Sequence, residues 1–374
     1  MLTITAGTHT VARAGYTIAK NGSTKNNTLT ITDGTVGAAY GGWTEGKNLI
    51  ASTAVDETHP VAVNTGANAE AEGNKLNLSG GTIGANGKIA GGYIAKYTLH
   101  QSHLVSAGDA KTNKVNISGG TIGDNTAIYG GYTEGSGNAT DNEVTISDGT
   151  FGDGAKIYGG GTAGRGRQLT ANPDIANDTV AASKATDNTL NVLGKDITVR
   201  GVENFGKTNF DLAHKTVGDT LLKITGGATN KMDWAGVEVV QTAYSFTPKS
   251  YDKHLFILMD NEDSINFMKG TTDTYATIGV KERTIGDYEF VIDTDNHTGH
   301  ANRYVYADGF RFHDNADASY TAADGTHNAA WSGRTAAPRQ PQHAHRYGWV
   351  YYECLRCVRR EPQARRLGPP AHDG

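Results

Sequence analysis

NKVNISGGTIGDNTAIYGGYTEG, running from Asn113 to Gly135, is the stretch that decides the fold. It is one copy of a unit whose relatives begin NTLTITDGTVG at Asn27, NKLNLSGGTIG at Asn74, NEVTISDGTFG at Asn142 and, worn, NTLNVLGKDITV at Asn188. Self-similarity in a fixed register marks stacked supersecondary units, none of which can bury its apolar face alone.

Within each copy apolar and polar residues alternate strictly. Leu29, Leu76, Val115, Val144 and Leu190 form one apolar column, and Ile31, Leu78, Ile117, Ile146 and Val192 form the next, with Thr30, Asn77, Asn116, Thr145 and Asn191 between them. A period of two with one apolar face is a half-buried strand. A glycine-bearing turn follows, then a third column of Val36, Ile83, Ile122, Phe151 and Ile197. A second strand-like piece then ends in a glycine pair at Gly41-Gly42, Gly91-Gly92, Gly130-Gly131 and Gly159-Gly160. Glycine at fixed offsets points to positive φ or close backbone approach at corners.

The leading asparagines lie 47, 39, 29 and 46 residues apart, so the copies share a core and differ in what is inserted after it. Asn48 to Gly73, Ile94 to Thr112 and Gln168 to Asp187, rich in Ala, Thr, Asn, Ser and Asp, read as surface loops. Propeller blades need about four strands per repeat. Two clear strands with glycine corners favour an all-β parallel β-helix, a solenoid with irregular loop insertions and a degenerate β-rich C-terminal part. Three buried aliphatics supply roughly 1.5 to 3 kcal/mol each, against roughly 1 to 2 kcal/mol of backbone entropy per ordered residue, so only stacking makes a copy stable. Stacking also aligns Asn27, Asn74, Asn113, Asn142 and Asn188, predicting a hydrogen-bonded side-chain ladder or a left-handed corner.

The organisation reads as a repeat β-helix over 1–205, degenerate rungs or a β-rich cap over 206–333, and a basic Pro/Arg-rich tail over 334–374. The middle part keeps strand-like runs at Leu221 to Ile224, Val237 to Val240, His254 to Met259, Tyr288 to Ile292 and Tyr304 to Tyr306, without the glycine pair in its repeat position. The tail has no Lys, eight Arg, five Pro and both cysteines, Cys354 and Cys357; such text directly after WSGRT is what Gly/Thr/Asn-rich coding sequence gives when read out of frame. Met1 to Gly333 carries 26 basic against 36 acidic residues, and the tail carries 8 against 3. An acidic body argues against a nucleic-acid partner. Mean hydropathy of −0.47 and the lack of a long apolar run argue against a spanning helix. MLTITAGTHT has neither a basic n-region nor an apolar h-region. It reads instead as the end of an earlier repeat, and an internal start within a longer protein is the expectation. The absence of cysteine before Cys354 fits a chain that crosses membranes unfolded.

The Gly-rich N-x-L-x-I-x-x-G-T-I-G and I-Y-G-G-Y-T-x-G repeats, followed by GVENFGKTNFDLAHKTVGDTLLKITGG (Gly201 to Gly227) and AAWSGRT, resemble the passenger region of Gram-negative autotransporter proteins of the type V secretion family. The NFxxxNFxL stretch at Asn204 to Leu212 adds to the match, which covers most of residues 1 to 335. The resemblance implies a β-helical passenger carried to the cell surface by a C-terminal outer-membrane barrel. Its signal peptide and barrel have no counterpart in this sequence, which bears on self-export by the chain as written.

No G-x-S-x-G, H-E-x-x-H or G-x-x-x-x-G-K-[ST] motif occurs. Asp124 and Asp153 hold equivalent positions one repeat apart and offer a carboxylate pair or calcium site, against the plainer reading of turn residues. Arg165 and Arg167 offer an anion site or ordinary solvated charge. His343, His345, Cys354 and Cys357 offer four zinc ligands at atypical spacing, against coincidence. Tyr93 and Tyr132 follow the glycine pairs in register, with Trp43 and Gly161 in the equivalent places. Outward they make a sugar-binding or adhesive stripe, inward they are core, and the glycine pair leaves the parity open, core slightly ahead.

The expected function is a non-enzymatic surface passenger or adhesin, at the cell surface or outer membrane or secreted, with host-surface or glycan ligands. No catalytic residue, metal or cofactor is assigned. A polysaccharide lyase or hydrolase on the same scaffold, and a truncated product of a damaged gene, are the alternatives.

Overall fold

Equivalent columns of successive repeats meet by parallel pairing. Leu2–Ile18 pairs with Thr28–Glu45, Leu2 against Leu29 and Ile4 against Ile31. Thr28–Glu45 pairs in turn with Lys75–Leu78 and Thr82–Ala95, Leu29 against Leu76 and Val36 against Ile83. Lys114–Ile122, Glu143–Phe151 and Thr189–Val192 continue the series, with Val115, Val144 and Leu190 in one line. A computed structural model supplies these coordinates, and it describes residues 1–18, 22–45, 70–95, 98–99, 103–104, 108–134, 137–162, 185–226, 231–240, 256–268, 275–285, 288–296 and 302–311. Arg165, Arg167 and the tail from Arg334, with its four zinc candidates and its frame reading, lie outside the described residues.

The fold is all-β with parallel sheets. Each repeat enters the large sheet twice: first through its alternating strand, then through the piece that ends at the glycine pair, as in Ala127–Thr133 and Lys156–Thr162. A third contribution is a two-residue strand just before four of the five corner asparagines, Asn27, Asn74, Asn113 and Asn142. Thr24–Lys25, Ala71–Glu72, Ala110–Lys111 and Ala139–Thr140 form a four-stranded parallel sheet of their own. Two of them lie inside segments that the sequence marks as loops, which is a correction. Two residues are too few to show a period, and their buried members are small alanines and a threonine. Their outer members form an alternating charge row: Lys25 bridges Glu70 and Glu72 at 2.9 and 2.7 Å, and Lys111 reaches Glu70 at 2.8 Å. The Lys111 and Lys25 ammonium groups hold the Glu70 carboxyl below the usual carboxylate range.

All three predicted columns are interior. The first two are buried throughout, and of the third only Phe151 stays partly exposed. The asparagines resolve as a ladder. Both the backbone N–H and Nδ2 of Asn74 donate to Oδ1 of Asn113, at 3.0 and 3.1 Å, and Asn113 donates in the same way to Asn142 at 3.0 and 3.0 Å. Asn27 above and Asn188 below join through the same pair of bonds. The left-handed residue is the one before: Asn26, Gly73, Thr112, Asp141 and Asp187 have φ of 55, 64, 55, 57 and 60°. Such a run of closed amides satisfies corner donors that no regular strand pairing reaches.

Two sequence signatures are one structural device. A Cβ on Gly92 would lie 2.4 Å from Asn113 Cγ, and one on Gly131 2.5 Å from Asn142 Oδ1. The second glycine of each pair leaves the volume that the ladder amide fills.

The columns outlast the readable repeats. Lys207–Asp211 and Val237–Val240 continue the first sheet, with Thr208 and Phe210 under Leu190 and Val192, and Val237 and Val239 under those. Ile197–Val199, Thr220–Ile224 and Phe256–Met268 form a further parallel run. Pairing then reverses. Asn302–Arg311 is antiparallel to Phe256–Met268 and to Tyr288–Thr294, and Lys281–Ile285 closes the sheet. The part read as degenerate rungs or a cap thus holds both kinds of pairing. Among the described residues no helix is long and apolar enough to cross a membrane.

Candidate functional site

The glycine pair also settles the parity question. Ile128 faces the aliphatic interior and Tyr129, next along the strand, faces the other way. Pairing passes from Tyr129 to Gly131 without a partner for Gly130, so the alternation slips there. Tyr132 therefore returns to the side of Tyr129, their ring centroids 4.6 Å apart. Beyond it the chain turns inward again, where Ile94 packs on Ala71, Ala110 and Ala139 of the small sheet.

The aromatic column is thus a layer of its own on the opposite face of the sheet from the aliphatic core. Trp43 stacks on Tyr93 at 4.3 Å and 15°, and Tyr93 on Tyr132 at 5.2 Å and 19°. A parallel column of Tyr40, Tyr129 and Tyr158 lies beside it, with Tyr129 stacked on Tyr158 at 4.7 Å and 14°. Gly161 continues the Tyr132 position. A side chain there would meet both Tyr129 and Tyr132 at 2.6 Å, so the two rings roof that glycine. The inward core reading of Tyr93 and Tyr132 is thereby corrected: Tyr93 is only 3 % exposed, but the rings around it on the outer face, not the aliphatic columns, cover it.

Charges border the layer. Lys88 lies over Tyr132 at 4.5 Å and over Tyr93 at 5.2 Å, and stands 4.0 Å from Glu134. The Tyr93 hydroxyl donates to Glu134. Burial, aided by that carboxylate, pushes the Tyr93 phenol well up, and burial pulls the Lys88 ammonium down. Burial with nearby Glu203 raises Tyr158 to about 12. At the other end Arg13 lies 4.3 Å over Trp43 and 5.1 Å over Tyr16, whose hydroxyl donates to Glu45 at 3.3 Å. Arg13 Nε and Trp43 Nε1 are closed off from solvent with no acceptor among the described residues. The layer is accessible at its Tyr16 end, where that ring is 50 % exposed, and along the partly buried Trp43, Tyr129, Tyr132 and Tyr158.

The other described candidates do not converge. Asp124 and Asp153 are exposed turn residues, and the Asp124 carboxylate accepts the Asp153 backbone N–H at 3.0 Å. The carboxylate of one turn therefore serves the backbone of the next, as the turn reading has it. No group of three or more metal-ligating side chains occurs among the described residues. Sequence reasoning found Trp43, Tyr93 and Tyr132 but missed Tyr40, Tyr129 and Tyr158. Their signal was the recurrence of tyrosine just before the glycine pair in three of four copies, Tyr40, Tyr129 and Tyr158, with Ala90 in that place in the other. Comparison with protein-family models, with curated proteins and with solved structures gave no match.

Proposed function

We propose that this chain is a parallel β-helix, a non-enzymatic passenger module of autotransporter type that works at the surface of a Gram-negative cell, or secreted from it, by adhesion and presentation. The in-register columns and the asparagine ladder support the β-helix. In this reading an outer-membrane barrel carries the passenger outward, and the contact surface is the aromatic layer.

The observation that carries the reading is the layer itself. Stacked indole and phenol rings on the outside of a sheet cover one another's faces, so the layer offers apolar ring edges along its length and an open ring at Tyr16, which is 50 % exposed. Arg13, Lys88, Glu45 and Glu134 border them with donors and acceptors. Apolar ring surface edged by both kinds of hydrogen-bonding group matches the apolar side and hydroxyls of sugar rings, so the ligand class is a glycan. Purified protein on a glycan array gives the test. Binding that falls at least about tenfold in Tyr16→Ala and Trp43→Ala, a loss equal to one stacking contact of about 1.4 kcal/mol, supports it. No retained glycan, or retention indifferent to both substitutions, refutes the adhesive surface.

A further inference from the structure

We infer that the free edge of Leu2–Ile18, together with that of Thr24–Lys25, is an interaction surface shaped for one complete repeat unit laid parallel upon it and closing with a corner asparagine. The inference goes beyond the adhesive reading and does not depend on it.

Three observations meet at this edge. Leu2–Ile18 is a strand of 17 residues that pairs only with Thr28–Glu45, and Thr24–Lys25 ends the small sheet, so both present one open row of backbone donors and acceptors among the described residues. One side chain that belongs to an interior column is uncovered here. Leu2 is 37 % exposed while its column mates Leu29, Leu76, Val115, Val144 and Leu190 are 0 % exposed. Val11, Tyr16 and Ile18 are exposed too, so half of the large exposed hydrophobics among the described residues lie on this one strand, with Met1 just before it. An open hydrophobic edge is a template for a further strand.

The ladder supplies the third observation, and it specifies the partner. Every later asparagine reaches back with Nδ2 to a carbonyl of the preceding short strand: Asn74 to Thr24 at 2.9 Å, Asn113 to Ala71 at 2.8 Å, Asn142 to Ala110 at 2.9 Å and Asn188 to Ala139 at 3.1 Å. Each also accepts from the asparagine before it. Asn27 differs on both counts. Its Nδ2 turns aside to Lys25 O at 3.2 Å, and its Oδ1 accepts no hydrogen bond among the described residues. A segment ending Ala-x-x-Asn over Thr24–Lys25 meets both groups, and the coil before it covers Leu2 and Tyr16. Asn113 to Asn142 of this chain has that form, ending Ala139-Thr140-Asp141-Asn142.

The probe is a synthetic peptide of residues 113–142, titrated against the full chain while amide hydrogen exchange is followed over Leu2–Ile18. The expected result is one peptide bound per chain, slower exchange across that strand, and affinity about tenfold lower for the peptide carrying Asn142→Ala, the worth of one net hydrogen bond. A scrambled peptide that binds equally, or protection that appears without peptide because the chain pairs with its own copy, overturns the inference. A peptide that aggregates before it docks is bypassed by fusing the same residues ahead of Met1. At least about tenfold slower exchange in Leu2–Ile18, reversed by the asparagine substitution in the added unit, supports the inference, and unchanged exchange in the fusion overturns it.

Discussion

Between Asn27 and Val192 each repeat fixes its corner with an asparagine set into a glycine notch; from Lys207 onward the strands keep their columns without that corner. The interior changes with the corner. In the first region it is Leu, Ile, Val and Ala, and in the second Phe210, Trp234, Phe256, Phe267 and Phe290 are buried, Trp234 meeting Phe267 edge-on at 5.0 Å. The pairing then turns antiparallel. Parallel strands stack without the corner ladder, as Phe210 under Val192 shows, with Asn209 Nδ2 donating to Asn191 Oδ1 beside them at 2.8 Å. What the ladder adds is a repeatable corner, and where it stops, bulkier side chains and a reversed sheet take over.

The largest expected effect tests the aromatic half of that contrast. Phe210→Ala, at 0 % exposure, costs about 3–5 kcal/mol in chemical denaturation; a loss under about 1 kcal/mol would mean that the second region has no packed interior. Next comes the ladder. Asn113→Ala strands the Asn74 N–H and Ala71 carbonyl in a buried corner and costs about 3 kcal/mol. Asn27→Ala, at the open end, costs under about 1 kcal/mol. Equal costs at the two sites would deny that burial makes the ladder matter.

Much of the first region was legible and the reasons are particular. Leu76, Val115 and Val144 sit in strict alternation, and alternation survives any reading of the loops. The Ala71–Glu72 and Ala110–Lys111 strands were hidden because two residues carry no period. The side taken by Tyr132 was hidden because its parity depends on a slip at Gly130, which leaves no trace in composition. Thr208 and Val237 were hard to place since a polar Thr stands in an apolar column and the next copy has lost its asparagine. Of the candidate site, half the rings were visible and the charges bordering them were not, because Arg13 and Lys88 reach the layer from different repeats.

A smaller effect sharpens the notch. Gly92→Ala sets a methyl against the Asn113 amide and costs about 1–3 kcal/mol. In the Gly92→Ala/Asn113→Ala double variant the added methyl meets space rather than an amide, so the pair costs less than the sum of its members. Strict additivity would separate the two signatures again. The smallest effect is electrostatic. Glu70 has a folded value below its unfolded one, so its contribution is present above the usual carboxylate range and fades as pH falls through the folded value. For this partly exposed row it is under about 1 kcal/mol. Glu70→Gln should flatten stability against pH below about 4.5 relative to the unmodified chain, and an unchanged acid limb would show that the row contributes nothing.

The central claim is that successive repeats lie parallel and in register, and disulfide trapping tests it most directly. With Cys354 and Cys357 replaced by serine, Lys114→Cys/Glu143→Cys puts thiols on a directly paired, outward-facing position of neighbouring repeats, and Lys114→Cys/Thr145→Cys moves the second one step along the same face. The first pair should close within the monomer under mild oxidation and the second should not. Closure of the second pair in preference to the first, or of neither, would contradict the stacking on which the columns, the ladder and the aromatic layer all rest.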